Sequence, residues 1–596
     1  MYKLIKELFS LLETHQKRKL ITLQVMVLTM AFLELVGIAS IGPFMALVGD
    51  SDIILTNSTI HSLYELSGVG STNRFLLLSG SLVLLMLTIS SLFSIITTWR
   101  LSRFSFDIGI EMADRLYKHY LNRDWLFHAN TTSSKLTKQI ATETNRLTGG
   151  VILPLMQLNS RAVLAFFISI SLFIYNPIVA TSGLILFAGG YFVIYRIIKT
   201  RLGRYGANVS KSHSERYKLM SEGFGGIKDI LLLYRKRNFI EKFEQAGIVQ
   251  ARSQAFINAF GQVPKFMMEL LAFGSMIALV LFLIKTHNGA LNEVLPVLAV
   301  YALAGFKLLP ALQQIYQSIT TIKGHLSAFE VIREDLIASK VGLTNYESKQ
   351  NLPSISTIKL ENVTFTYPNK KKPALNDVSL VIKENSTVGF VGESGSGKST
   401  TVDMLLALIV PDHGRLMIGE VVIDSTNRRA WQKQIGFVPQ AIFLSEGTIA
   451  ENIAFGLSEG EIDMGKVKKA ATLAHLNELI VSLDNGLETK VGERGVQLSG
   501  GQRQRIGIAR ALYSDAKVLV FDEATSALDG ITEKIIMDAI SELSGERTII
   551  IIAHRLKTVA NADQIYMFDK GKIVDHGTFD GLIGKNKQFA EMAKRA

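Results

Sequence analysis

The stretch FLLLSGSLVLLMLTISSLFSIITTW, residues 75–99, runs for 25 residues without a charged side chain. A helix of that composition has no face to offer water. It suits lipid, because crossing the hydrocarbon takes about 20 mostly apolar residues and a helix satisfies its own backbone polar groups. Five further segments meet the same requirement, at about 20–49, 147–174, 177–199, 255–285 and 290–325. The competing reading, buried helices of a large soluble protein, does not suit runs this long and this free of charge. The first segment follows Lys17, Arg18 and Lys19, has no cleavage-site pattern, and is too long for the apolar part of a signal peptide. It reads as a retained helix.

The loops set the orientation. Residues 50–73 contain Asp50, Asp52 and Glu65 and no lysine or arginine, whereas 100–146 carry eight basic residues and 196–252 carry thirteen. Basic loops stay on the cytoplasmic side, which puts both termini there. Topology thus accounts for much of the net charge of +12, and nucleic acid is not needed as a partner. Both basic loops are long, so the helices around them are expected to extend beyond the bilayer. Their apices, WLFHANTTSS (125–134) and EGFGGIKD (222–229), show no periodicity. They are either docking points for a cytoplasmic partner or solvated hairpin tips.

At 596 residues the chain exceeds one domain. It is 48% hydrophobic and has no cysteine, which excludes disulfides and thiolate metal sites. After NLPSISTIKLENVTF (351–365) the pattern changes to short strands, glycine turns and amphipathic helices. The division is a helical transmembrane domain at 1–340, a linker at 341–355, and a second domain at 356–596.

Within that second domain, GFVGESGSGKSTTVDML (389–405) contains G-x-x-x-x-G-K-S between an apolar strand and a helical pattern. This is the setting of a phosphate-binding loop. Gly392, Gly395 and Gly397 allow backbone N–H groups to turn inward around phosphate. Lys398 reaches the β- and γ-phosphates, Ser399 supplies a Mg²⁺ ligand, and the helix N-terminus adds its positive end. Ser394, Ser396 and Thr400 complete the candidate nucleotide contacts. VLVFDEATSALD (518–529) is an apolar strand that ends in two acids. Asp522 suits Mg²⁺, and Glu523 is placed to polarise water. TIIIIAHRL (548–556) is a further strand, delivering His554 towards the γ-phosphate. In LSGGQRQRIGIARAL (498–512), Ser499, Gly500, Gly501 and Gln502 open a second anion-binding helix. Its own chain already has a phosphate loop, so this helix start needs the nucleotide of another chain.

Together, GESGSGKST, LSGGQ, VLVFDE, SALD and AHR resemble the ATP-binding cassette superfamily, and their position after six helices resembles its homodimeric exporter branch. The resemblance implies ATP and Mg²⁺ as cofactors. It also implies an α-helical six-span transmembrane domain followed by an α/β P-loop nucleotide-binding domain, paired with a second copy. By the same resemblance, Tyr367 stacks on adenine, Gln440 links Mg²⁺ and water to the membrane domain, Asp529 is the acid of the D-loop, and VGERG (491–495) is the X-loop. The apices would be coupling helices.

FLELVGIASIGPFMALVGD (32–50), VPKFMMELLAFG (263–274) and YALAGFKLLPALQQIYQSI (301–319) narrow the resemblance. They are similar to flippases for lipid-linked oligosaccharides in bacterial protein glycosylation. The implied cargo is a lipid-linked glycan and the implied location the bacterial inner membrane. A multidrug, lipid or peptide exporter is the alternative, and a soluble ATPase on DNA or ribosomes is disfavoured by the six spans.

Charges inside the apolar segments bear on the cargo. Counting about 1.5 Å per residue from the outer ends, Glu34, Arg161, Glu269 and Lys307 lie roughly 22–25 Å down, and Lys265 roughly 32 Å. All five fall in the inner half, near the cytoplasmic headgroups, in or beside a core about 30 Å thick. One account is local: Lys265 and Glu269, one turn apart, pair or snorkel. The other is a cationic layer of Arg161, Lys265 and Lys307 that recognises an anionic lipid headgroup, oriented by Glu34 and Glu269.

Overall fold

The computed structural model describes residues 2–49, 51, 54, 57–175, 177–286, 291–340, 356–368, 370–492, 495–523, 530–553 and 555–595. The chain divides into two compact units, Met1–Arg123 with Phe127–Leu343, and Asp124–Leu126 with Thr344–Ala596. The linker expected at 341–355 lies outside the described residues.

Six long helices organise the first unit: α1 (Thr14–Gly49), α2 (Thr72–Leu121), α3 (Leu153–Tyr175), α4 (Pro177–Gly225), α5 (Lys236–Thr286) and α6 (Leu291–Ala338). Among the described residues, α1, α2 and the helical stretch ending in α3 are long and apolar enough to cross a membrane. With 50 residues, α2 is about 75 Å long, well over the hydrocarbon thickness, and α4 and α5 match it. The expected extension beyond the bilayer is therefore present. Helix α1 packs on α2, α3 on α6, and α4 on both α5 and α6. A Cβ at Gly206 of α4 would lie 2.1 Å from the carbonyl oxygen of Gly324 on α6, so only glycine permits that backbone contact.

Both hairpin apices hold short helices, which the sequence pattern does not show and which only the family resemblance implies. The first contains a short helix at Trp125–Ala129 and the second one at Ile227–Leu232. One or two turns are too few for a periodicity to show in sequence. The segment leading into α3 holds a further feature, two π-helical turns at Gln139–Glu143 and Thr148–Ile152. At the end of the first, the fully buried Glu143 meets Lys138 at 3.0 Å and Arg146 at 2.7 Å. Lys138 also donates to the Ser214 hydroxyl at 2.7 Å, which ties this segment to α4.

The second unit carries two sheets. The first is antiparallel, in the order β2-β1-β4-β5, from β1 (Thr357–Phe365), β2 (Leu375–Lys383), β4 (His413–Ile418) and β5 (Val421–Val422). The second runs β10-β9-β3-β8-β7-β6, from β3 (Thr387–Gly392), β6 (Ile435–Val438), β7 (Val518–Asp522), β8 (Thr548–Ile552), β9 (Gln564–Asp569) and β10 (Lys572–Gly577). All its pairings are parallel except β9 with β10. The TIIII run of β8 is buried throughout, as expected for a strand covered on both faces. The order β3-β8-β7 matters for the site: it gathers the carboxyl ends of the strands that precede the phosphate loop and the paired acids, where open parallel sheets bind ligands.

Candidate functional site

The loop leaving β3 turns on glycines. Gly392 has φ +144°, and a Cβ there would lie 2.2 Å from the Phe568 carbonyl oxygen. Gly395 and Gly397 have φ +79° and +109°, a region that side chains rarely tolerate. Helix α7 (Lys398–Leu405) begins directly after Gly397. Lys398 is buried, and its ammonium donates to the carbonyls of Gly392 at 2.7 Å and Glu393 at 2.9 Å. Burial lowers its pKa from the usual lysine value, while the carboxylates of Glu523 and Asp522 act in the opposite direction. The loop thus wraps around a cation, with Ser399 exposed at the helix start.

The acids come from the end of β7. Asp522 and Glu523 are half-buried. The backbone N–H of Glu523 donates to the Ile552 carbonyl at 3.2 Å, and its φ of 52° is left-handed, a costly conformation for a residue with a side chain. Its carboxylate accepts a hydrogen bond from the Gln440 side-chain amide at 2.5 Å. The structure thus joins Gln440 to Glu523 and brings the Asp522 and Glu523 carboxylates close enough to act on Lys398. Tyr367 stands beside α7 with its hydroxyl 3.3 Å from that of Thr400, and its ring is edge-on to Phe365. His554 and Asp529 lie outside the described residues.

Ser499 caps α8 (Gly500–Tyr513). Its hydroxyl accepts from the Gln502 N–H at 3.2 Å, and the Gln502 side chain accepts from the Ser499 N–H at 2.8 Å. Ser499 and Gly500 are exposed, whereas Gly501 is buried. Among the described residues, Ser499 and Gln502 hydrogen-bond to each other and not to the phosphate loop. Of the X-loop, Glu493 and Arg494 lie outside the described residues.

Sequence reasoning missed Asp403. It sits in α7, and burial together with the nearby Asp522 carboxylate pushes its pKa up to about 6. An acid amid the apolar residues of TTVDMLL was the available signal.

The five membrane charges divide. Glu34 accepts from the Ser94 hydroxyl at 2.9 Å. Lys265 is exposed, with its ammonium 5.9 Å from the Phe266 ring centroid. Among the described residues, no ion pair joins Lys265 to Glu269, and Arg161 has no ion pair within 4.0 Å. The local Lys265–Glu269 pair is therefore not formed. The side chain of Lys307 lies outside the described residues.

Two family profiles match the chain. One, described as ABC transporter transmembrane region, covers residues 39–305, and the other, described as ABC transporter, covers residues 375–526. The chain is 29% identical over 557 residues to the ATP-dependent lipid A-core flippase of Shewanella denitrificans, spanning 90% of this chain and 89% of that protein. It is 43% identical over 235 residues to the protein of the same description in Aliivibrio fischeri, spanning 39% of this chain and 40% of that one. Its fold matches a bacterial Atm1-family ABC exporter solved with ATP bound, with a TM-score of 0.77, 22% identity, and coverage of 97% of this chain and 98% of that one.

Proposed function

We propose, for a chain that belongs to the ABC transporter family and uses ATP hydrolysis to drive export across a membrane, that the cargo is a lipid-linked oligosaccharide or a related polyprenyl-diphosphate glycan. The observation that carries this reading is the state of Arg161 and Lys265. By the count along the helices Arg161 falls in the inner half of the core and Lys265 at the cytoplasmic headgroups, and neither has an ion pair within 4.0 Å among the described residues. A cation kept inside the apolar core is expensive, whereas one at the interface can snorkel; a diphosphate headgroup would give both a counter-charge. Relatives described as lipid A-core flippases support a lipid cargo in general, so export of another lipid is the second reading.

The working unit is a homodimer. The second apex exposes Phe224, Leu232, Leu233 and Tyr234, at 77%, 75%, 65% and 91%. An apolar tip on the cytoplasmic side needs a cover, and a second copy supplies one. The exposed start of α8 at Ser499 points to the same partner. Both hydrolytic sites of the pair are active. Mg²⁺ fits the donors at hand, the Ser399 hydroxyl, the Gln440 side-chain oxygen and the Asp522 carboxylate, because this ion takes few protein oxygens together with substrate phosphates. The membrane is the bacterial inner membrane, with both termini and the ATPase unit cytoplasmic, in keeping with the basic inner loops.

The test is ATP-dependent movement of a labelled polyprenyl-diphosphate sugar in proteoliposomes. Movement with Mg²⁺-ATP supports the reading. Robust ATP hydrolysis without movement of this probe, together with movement of a lipid lacking diphosphate, favours the second reading.

A further inference from the structure

The side-chain amide of Gln314 on α6 donates to the carbonyl oxygen of the Gln157 side chain at 3.2 Å. Gln157 lies just before Arg161 on α3, one helical turn away and on the same face. Two glutamine amides can close a ring of two hydrogen bonds, but here only one forms. The NH₂ of Gln157 and the side-chain oxygen of Gln314 take no other hydrogen bond among the described residues, and neither is a sealed atom. Reversing both amides exchanges the roles and still leaves one donor beside one acceptor. A hydroxyl or an acetamido group needs that combination.

The surroundings fit the pair to the cation layer. Gly261 of α5 lies against α6, where a Cβ would stand 4.0 Å from the Gln317 side chain. Gln317 is one turn from Gln314, and Lys265 is one turn from Gly261. Arg161 and Lys265 thus lie on the two helices, α3 and α5, that pack against the α6 carrying Gln314. From Arg161 to Gln157 is about 6 Å along the axis, towards the cytoplasm. A sugar linked to a phosphate held at Arg161 would extend in that direction.

We infer that Gln157 and Gln314 form the subsite for the first sugar next to the anionic group of the cargo, and so select glycosylated over bare polyprenyl diphosphate. The inference rests on the glycan reading above. The bland role is helix adhesion, which the pair Gln24–Asn159, joined at 2.6 Å between α1 and α3, would fill equally well.

The experiment uses the full-length protein in nanodiscs and measures ATPase stimulation by polyprenyl diphosphate with and without one N-acetylhexosamine. Wild type should respond to the glycosylated probe at an about tenfold lower concentration, in keeping with one or two hydrogen bonds. The isosteric variants Gln157→Met and Gln314→Met should lose that preference and keep the response to the bare diphosphate. Gln24→Met should keep both. Preference surviving in the Gln157 and Gln314 variants overturns the inference alone, and so does its loss in Gln24→Met as well. If neither probe stimulates wild type, the glycan reading fails and this inference falls with it. Should Met at these sites impair folding, Gln157→Asn, which keeps the amide but shortens its reach, must also weaken the preference, and an unchanged preference there overturns the inference.

Discussion

Gln440 and Glu523 are joined by a 2.5 Å hydrogen bond from the glutamine amide to the carboxylate. The Glu523 backbone is left-handed, so the carboxylate is aimed by strain and by an amide partner together. A water held between this carboxylate and a γ-phosphate would be oriented for attack. Glu523→Gln should lower ATP turnover by about 10²–10⁴-fold, the usual contribution of a positioned base, while nucleotide binding persists. The check is steady-state hydrolysis beside equilibrium binding of a fluorescent ATP analogue. Near-normal turnover would remove Glu523 from this role.

Lys398 donates to the carbonyls of Gly392 and Glu393 and so braces the loop on which a phosphate would sit. Lys398→Ala should weaken nucleotide binding itself, whereas Glu523→Gln should not. Isothermal titration with ATP separates the two, and equal affinities would contradict the assignment.

The exposed capping box of Ser499 and Gln502 gives a dimer prediction. A two-fold pair needs Ser499 of one chain to close on the nucleotide at Lys398 of the other. Mixing Lys398→Ala chains with Ser499→Arg chains should restore one intact site per heterodimer. Full-rate hydrolysis by isolated monomers, independent of concentration, would count against it.

The Glu143 cluster predicts a stability effect. Removing the carboxylate leaves Lys138 and Arg146 buried without their counter-ion. Breaking such a group by removing one partner costs about 3–5 kcal/mol. Glu143→Ala should therefore lower the melting temperature of the transmembrane unit far more than Glu222→Ala, an exposed partner of Lys218. Equal effects would mean that the buried cluster adds nothing.

Asp403 gives the pH dependence. Its pKa is raised from 3.8 to about 6 in the fold, so the folded state holds this proton more tightly than the unfolded state does. The stabilisation is complete below about pH 4 and is lost as pH rises through about 6. Asp403→Asn should raise the melting temperature at pH 7.5, and the gain should shrink towards pH 5. A pH-independent gain would place the cause elsewhere.

Much of the ATP site is legible in sequence because its chemistry is local. GESGSGKST encodes its turn in glycines, and the apolar run before Asp522 encodes a buried strand. The left-handed backbone of Glu523 is not legible, since it is imposed by the sheet around β7 and β8. The charged membrane residues were visible, but their partners were not. Lys265 and Glu269 have ideal spacing for a pair and do not form one, while Glu34 finds Ser94 on a different helix. Gln157 and Gln314 meet across 157 positions of sequence, and no local pattern announces such a pair. The π-helical turns around Glu143 are not legible because each spans only five residues, too few for a change of period to show in sequence.

The most direct measurement is ATP-driven flipping of a labelled polyprenyl-diphosphate N-acetylhexosamine by wild type and Lys265→Ala in proteoliposomes, with basal ATPase activity and dimer content measured in parallel. Wild type should move the probe, and Lys265→Ala should lose both movement and substrate-stimulated hydrolysis while keeping basal hydrolysis and the folded dimer. Normal transport by Lys265→Ala, or a loss matched by loss of the folded dimer, would contradict the recognition of an anionic headgroup at this cation.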